Sequence, residues 1–316
     1  MFSTVLPIFL LILTGYIFAK KEKVSQDAEQ LINSYVLNIA LPALLFLAIA
    51  KADVSELTKW GFLFSTLAGI IVAYICGLVF ASLLKIKAPN SSILAMASSY
   101  GTTGYMGIPL VIIAFGSISA VPAALATILH NIPAIMAVII TYGIMAQSLE
   151  NKMSKFKIIK SAFLTTLKNP LTLAVLAGMF FSVLKIDLPE VLINFSNFLG
   201  MAAGPTALFA LGLGLAKLKI TEHLEVTKLL KIFPFVFIKI LIQPLVTFFL
   251  AFYIFEMSLD DVYFKTAIIM SALPIGAGVY VFASKYNYYK DESSIAIILS
   301  LIITLGSLSY LLNLFN

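Results

Sequence analysis

Apolar positions fall into ten runs, at about 2–19, 31–50, 60–84, 93–115, 121–145, 170–184, 191–216, 232–255, 264–284 and 294–312, with short polar links between them. Most of the runs approach the ~20 residues that a helix needs to cross the hydrocarbon core of a bilayer. The pattern predicts an all-α polytopic membrane protein of ten transmembrane helices, with no link large enough to fold as a soluble domain. The first run, Phe2 to Ala19, has no basic residue before it and no small-residue cleavage site after it, so it reads as a retained span. The longest link, "QSLENKMSKFKIIKSAFLTTLKN" (Gln147 to Asn169), joins the fifth and sixth runs and has the composition of an amphipathic surface helix or a plain linker.

Composition agrees with the pattern. Of 316 residues 61% are hydrophobic and 11% charged, too little polar surface for a soluble domain of this length. All 21 basic residues are lysines, so the bidentate guanidinium fork common in anion sites is missing. Sixteen lysines lie in the links after odd-numbered runs; Lys51, Lys59, Lys185 and Lys265 lie in the others. The positive-inside rule then puts the lysine-rich links in the cytoplasm and both termini outside a cell membrane. The net charge of +6 is thereby a topology signal, with no nucleic-acid partner implied. One cysteine, Cys76, excludes a disulfide within the chain and reads as a small buried apolar side chain.

Two runs contain residues that a membrane helix tolerates poorly. "YGTTGYMGIPL" (Tyr100 to Leu110) interrupts the fourth run, and "SALPIGAGVYVF" (Ser271 to Phe282) interrupts the ninth. Proline lacks the N–H and glycine weakens a helix by roughly 1 kcal/mol, so both runs should break in mid-span. The halves also echo each other. "PALLF" (Pro42 to Phe46) matches "PTALF" (Pro205 to Phe209), and "ELTK" (Glu56 to Lys59) matches "EVTK" (Glu225 to Lys228). Five spans per half is an odd number, so the copies would point in opposite directions, forming a 5+5 inverted repeat like those of many secondary transporters. Irregular backbone at bilayer depth is tolerated where it is buried or lines a cavity, and half-helix ends attract ions. Paired breaks therefore suggest a binding site; kinks for close helix packing are the competing explanation.

With "YGTTGYMGIPL", "ALPIGAGVYVFASKY" and "LNIALPALLF" on the page, the whole chain resembles the auxin efflux carrier family, whose microbial members include malate and malonate permeases. The resemblance implies the fold shared by sodium/proton antiporters and bile-acid symporters, with crossing fourth and ninth helices. It implies repeats over 1–148 and 169–316 joined by a cytoplasmic linker at 149–168, a scaffold of helices 1, 2, 6 and 7, and a transport domain of helices 3–5 and 8–10. Exposed scaffold helices in this fold often pair, which implies a homodimer. The implied substrate site takes in Thr102, Thr103, Gly104, Tyr105 and Pro109 from the fourth run. Pro274, Gly276, Gly278 and Tyr280 come from the ninth, and Asn38 from the scaffold. Where the family often carries asparagines, this chain has Thr102 and Gly278, which leaves the substrate contacts open.

Other chemistry is sparse. All fifteen acidic residues lie in links or at span ends, which argues against an antiporter with a core carboxylate and against an aspartyl intramembrane protease. No HExxH metal motif is present, His223 sits in a link, and no cofactor is expected. "GLGLAK" (Gly212 to Lys217) reads as close helix packing, not a phosphate loop. "LHNIP" places His130 and Asn131 in the fifth run, where the histidine is a proton carrier or a hydrogen-bonded structural group. Lys239, with Gln243, is the most costly feature: a lysine near mid-span must find carbonyls at a helix break, lose its proton, meet the substrate's charge or reach a water-filled crevice.

The reading is a non-enzymatic secondary transporter of a small organic anion, such as a dicarboxylate or an auxin-like weak acid, working by elevator-type alternating access. Lys239, Gln243, His130 and Asn131 are candidates for coupling or charge compensation, with a proton or sodium ion as a further partner. The alternatives are a sodium-coupled symporter of the bile-acid type and, from another class, a membrane receptor or sensor.

Overall fold

The computed structural model describes residues 2–25, 27–86, 88–150, 154–217 and 226–315. These residues form helices, with no strand among them, and the apolar runs of the sequence fall on helices, the fourth and ninth with a non-helical stretch inside them. In chain order the elements are α1 (Phe2–Lys20), α2 (Ala28–Ala50), α3 (Trp60–Leu83), α4 (Ser91–Ala97), α5 (Thr103–Phe115), α6 (Ala120–Glu150), α7 (Lys155–Leu167), α8 (Pro170–Leu184), α9 (Glu190–Lys217), α10 (226–254), α11 (Val262–Ser271), α12 (Gly278–Lys285) and α13 (Lys290–Leu314). Among the described residues six helical stretches are long and apolar enough to cross a membrane, or seven if α7 and α8, which meet at a 68° bend, form one span. Large apolar side chains stay exposed along outward faces, among them Phe64, Ile71, Ile75 and Val79 of α3 and Leu173, Leu176 and Phe180 of α8. Faces of that kind belong in lipid.

The fourth run is two helices, α4 and α5, with non-helical chain between them; the ninth is likewise α11 and α12. The long link holds α7, while α6 runs to Glu150, two residues into the expected linker. His223, Lys219 and Glu225 lie outside the described residues, so the second half of the "ELTK"/"EVTK" match is only partly described.

Helix packing divides into two groups. α1, α2, α8 and α9 pack on one another. α1 and α9 approach closely enough that a side chain at Gly15 would strike the Phe209 carbonyl, and one at Gly212 the Ile12 carbonyl. The second group is centred on α3, which packs on α4, α6, α10 and α11. Contacts between the groups are fewer; the clearest runs through α5, where Pro109 rests on Gly204 of α9, 3.0 Å from where a Cβ would stand.

Within α10 the backbone widens into a π-type turn at Ile238–Ile242, and α2 does the same at Val36–Ala40. Such turns insert one residue, re-aim the side chains around them and often mark functional positions. Lys239 lies in the first of these turns and Asn38 in the second.

Candidate functional site

Glycine and proline open the two broken helices at places that meet in space. Gly101 and Ile275 form an antiparallel bridge. The Thr102 N–H donates to the Pro274 carbonyl and the Gly276 N–H to the Tyr100 carbonyl, each at 3.0 Å. The breaks thus satisfy part of one another's backbone, as a water-poor interior requires. Ser300 of α13 adds support by accepting from the Ile275 N–H at 3.0 Å.

Side chains close around this pairing. The Tyr100 ring lies over Gly276 and Gly278: a Cβ at either glycine would stand 2.6 or 2.8 Å from Tyr100 Cε1. Its hydroxyl donates to Asn131 Oδ1 at 2.8 Å, and the Asn131 amide donates to the Thr127 carbonyl at 2.7 Å. Tyr105 donates to Asn33 Oδ1 at 3.0 Å, across to α2. Asn33 reaches Glu29 Oε1 at 3.4 Å, and Glu29 pairs with Lys217 at the end of α9 at 2.8 Å. This polar chain runs from the break to one end of the bundle.

Toward the other end a crevice of about 590 Å³ opens between α1, α2, α5 and α9. Its inner wall includes Gly104, Leu41, Pro109 and Gly204, while Lys51, Ser117, Ser196 and Asn197 supply the polar groups. At Gly104 the helix α5 is just beginning. The first bonds back to the Thr102 carbonyl come from Met106 and Gly107, so the amides of Thr103, Gly104 and Tyr105 lead the helix without an intrahelical acceptor. The Thr103 hydroxyl, and that of Thr127, whose methyl faces Gly104, are buried with no hydrogen-bond partner among the described residues.

Behind the breaks, Lys239 is fully buried and its Nζ donates to the Ser271 carbonyl, at the C-terminal end of α11, at 2.6 Å. His130 and Gln243 are also fully buried. His130 Nδ1 donates to the Ala126 carbonyl at 2.9 Å, and its Nε2 accepts from the Gln243 amide at 3.2 Å, with the amide oriented as found. Gln243 Oε1 has no partner among the described residues.

Of the residues expected at the site, Thr102, Thr103, Gly104, Tyr105, Pro274, Gly276 and Gly278 come together at the paired breaks, with Asn131, His130, Gln243 and Lys239 around them. Pro109 lies a turn away, on the crevice wall. Two residues stand apart. Asn38 is exposed and donates to Ser34 of its own helix at 2.8 Å, and Tyr280 is 38% exposed beyond the break. Tyr100, Thr127, Ser271 and Ser300 join the site without having been expected there. Tyr100 opens the glycine-rich motif and Thr127 lies one turn before Asn131, so both had a signal nearby. Cys76 is half-buried and lines an apolar groove between α3 and α10. No cluster of three His, Cys, Asp or Glu side chains suited to a metal occurs among the described residues.

A helical, lipid-faced bundle with broken helices meeting beside a crevice is an architecture suited to membrane carriers. Comparison with known proteins places it further: residues 1–312 match the family described as membrane transport protein, and the chain belongs to that family, the one whose members include auxin efflux carriers and malonate permeases. A Rhizobium meliloti (strain 1021) protein named "Putative malonate transporter" is 27% identical over 98% of this chain and 93% of its own length. The uncharacterized transporter YfdV of Escherichia coli (strain K12) is 23% identical over 94% and 92%. The lysosomal cholesterol signaling protein of Mus musculus is 25% identical over 91% of this chain, which spans only 34% of that larger protein. The protein is a multi-pass membrane transporter.

Proposed function

We propose that this transporter carries a small organic anion, and that the anion binds at the start of α5. The observation that carries this reading is a group of donors there without a partner among the described residues: the leading amides of Thr103, Gly104 and Tyr105, with the buried hydroxyls of Thr103 and Thr127. A helix N-terminus of this kind favours negative charge, and free hydroxyls beside it supply further donors. Gly104 opens onto the crevice, which gives the site a route to one face of the membrane. By the lysine asymmetry that face is the outside, because Lys51 on the rim belongs to a lysine-poor link and Asn197 lies near the start of α9, which follows another.

The two packing groups support an elevator: α1, α2, α8 and α9 serve as scaffold, and the α3-centred group carries the paired breaks across. In this reading the ten helical runs are ten spans in two inverted halves, each with its fourth span broken. The Tyr105–Asn33–Glu29–Lys217 chain closes the cytoplasmic side while the crevice is open to the outside.

Purified protein in liposomes, offered radiolabelled malonate and then a panel of monocarboxylates, other dicarboxylates and indole acids, tests the proposal. Saturable uptake of at least one anion is expected. Gly104→Leu, which fills the space between Leu41 and Thr127, should abolish it with folded protein retained. Unchanged uptake in Gly104→Leu would move the site elsewhere, and folded wild-type protein inert toward every anion would overturn the reading.

A further inference from the structure

We propose that the Lys239 ammonium, held on the Ser271 carbonyl at the C-terminal end of α11 and against Gly101 in the other break, is a tethered counter-cation that lets the crossing accept an anion without a bound metal ion. The inference rests on the anion-site reading above, and it adds what balances the charge.

Four observations carry it. Lys239 is fully buried, at 0% relative accessibility, and sits about 12 Å along the helix from Lys231 at 1.5 Å rise per residue. The Nζ does not snorkel to an interface; it turns inward, reaching the Ser271 carbonyl at 2.6 Å, the short range of a charge-assisted bond. A helix C-terminus presents carbonyls that lack intrahelical donors and carries partial negative charge, so a cation is favoured there. Finally, a Cβ added at Gly101 would stand 3.4 Å from Nζ, so the ammonium lies beside the fourth-run break while it is bonded to the ninth-run one.

The other charged and titratable groups leave this role to Lys239. His130 is already committed through Nδ1 to Ala126 and through Nε2 to the Gln243 amide. Glu29 and Lys217 pair with each other near the bundle end. No carboxylate is hydrogen-bonded or ion-paired to Lys239 among the described residues. An ammonium has three donors and, among the described residues, only the Ser271 carbonyl takes one, so Lys239 keeps donors to offer in a fully buried place. Uncompensated positive charge at that depth is costly on its own and is relieved when an anion arrives.

The test uses full-length protein in liposomes with radiolabelled malonate as probe, in sodium, potassium or choline buffers. Wild-type uptake is expected to be equal in all three. Lys239→Met should reduce it about tenfold or more with expression and melting temperature near normal, since removing one partner of a buried charge interaction weakens binding by that order. Lys239→Ala leaves a space at the carbonyls, so n-butylammonium should restore part of its uptake and raise its melting temperature in detergent, while leaving the wild type unchanged. Wild-type rates in Lys239→Met, a sodium requirement in the wild type, or no response of Lys239→Ala to the amine in either readout would each overturn the counter-cation. The melting arm needs no substrate. A wild type that fails to move any anion therefore counts against the proposed function, while the amine-dependent melting shift still decides the cation cradle.

Discussion

Replacing Gly278 by alanine tests whether the paired breaks are held by the Tyr100 ring. The added Cβ would stand 2.8 Å from Cε1 of Tyr100 and 3.1 Å from its Cζ and hydroxyl. Carbon atoms in contact settle near 3.5–4.0 Å, so ring or backbone must yield by roughly 1 Å. The ring is not free to do so, because its hydroxyl is bound to Asn131 at 2.8 Å. Overpacking of this kind costs about 1–3 kcal/mol, and a broken buried hydrogen bond adds about 0.5–1.5 kcal/mol. Alanine returns up to about 1 kcal/mol of helix propensity, which leaves a net loss of roughly 0.5–3.5 kcal/mol. Thermal unfolding in detergent, with liposome uptake beside it, reads both consequences. Tyr100→Ala removes the obstacle, so the double variant should be more stable than the single losses predict, by about 1–3 kcal/mol of coupling. Gly306→Ala is the proper comparison, because nothing lies within 4 Å of that position. Gly116 is not, since its φ of +81° would strain any other residue. Additive losses in the cycle, or a Gly278→Ala protein that behaves like Gly306→Ala, would refute the ring's role.

Tyr105→Phe removes the hydrogen bond to Asn33 and should favour opening on the Lys217 side by about 0.5–1.5 kcal/mol, up to roughly tenfold in the ratio of the two states. Accessibility of a cysteine placed at Ser34 to a water-soluble maleimide should rise accordingly, in a Cys76→Ser background, and unchanged labelling would remove the proposed gate. The lysine asymmetry predicts that cysteines at residues 3 and 315 are labelled in intact cells while one at residue 160 in α7 is spared; the reverse pattern would invert the orientation.

Much of this arrangement was legible from residue type. The ninth-run break follows from Pro274 and Gly276, because a backbone that cannot complete its ladder must depart from it, whereas the fourth-run break falls at Gly101, with Gly104 and Pro109 carried inside α5. Lys239 stood out because a buried ammonium is expensive enough to need a reason. Other parts carried no comparable mark. The bond from Thr102 to Pro274 joins backbone groups that any residue would offer, so no side chain announces that the breaks meet. Tyr100 and Asn131 are thirty-one residues apart, and only the fold brings them together. Asn38 shows the opposite limit. A polar residue in an apolar run invites a functional reading, yet it satisfies itself on Ser34 one turn back. The glutamate of the Glu29–Lys217 pair sits at a helix start, where it looks like an ordinary end charge.

The buried Lys239 also has an electrical consequence. An elevator stroke that moves the α3-centred group, α10 included, takes this ammonium with it through the membrane field. A carrier loaded with a monocarboxylate would then travel neutral and return with one positive charge. A unit charge displaced through the whole field exchanges about 2.3 kcal/mol per 100 mV. The membrane voltage would therefore act on the empty protein rather than on the loaded one, and an interior-negative potential would hold the unloaded carrier facing inward. For a dicarboxylate the loaded stroke would carry one negative charge, so the sign of the transport current would report how many charges the cargo brings.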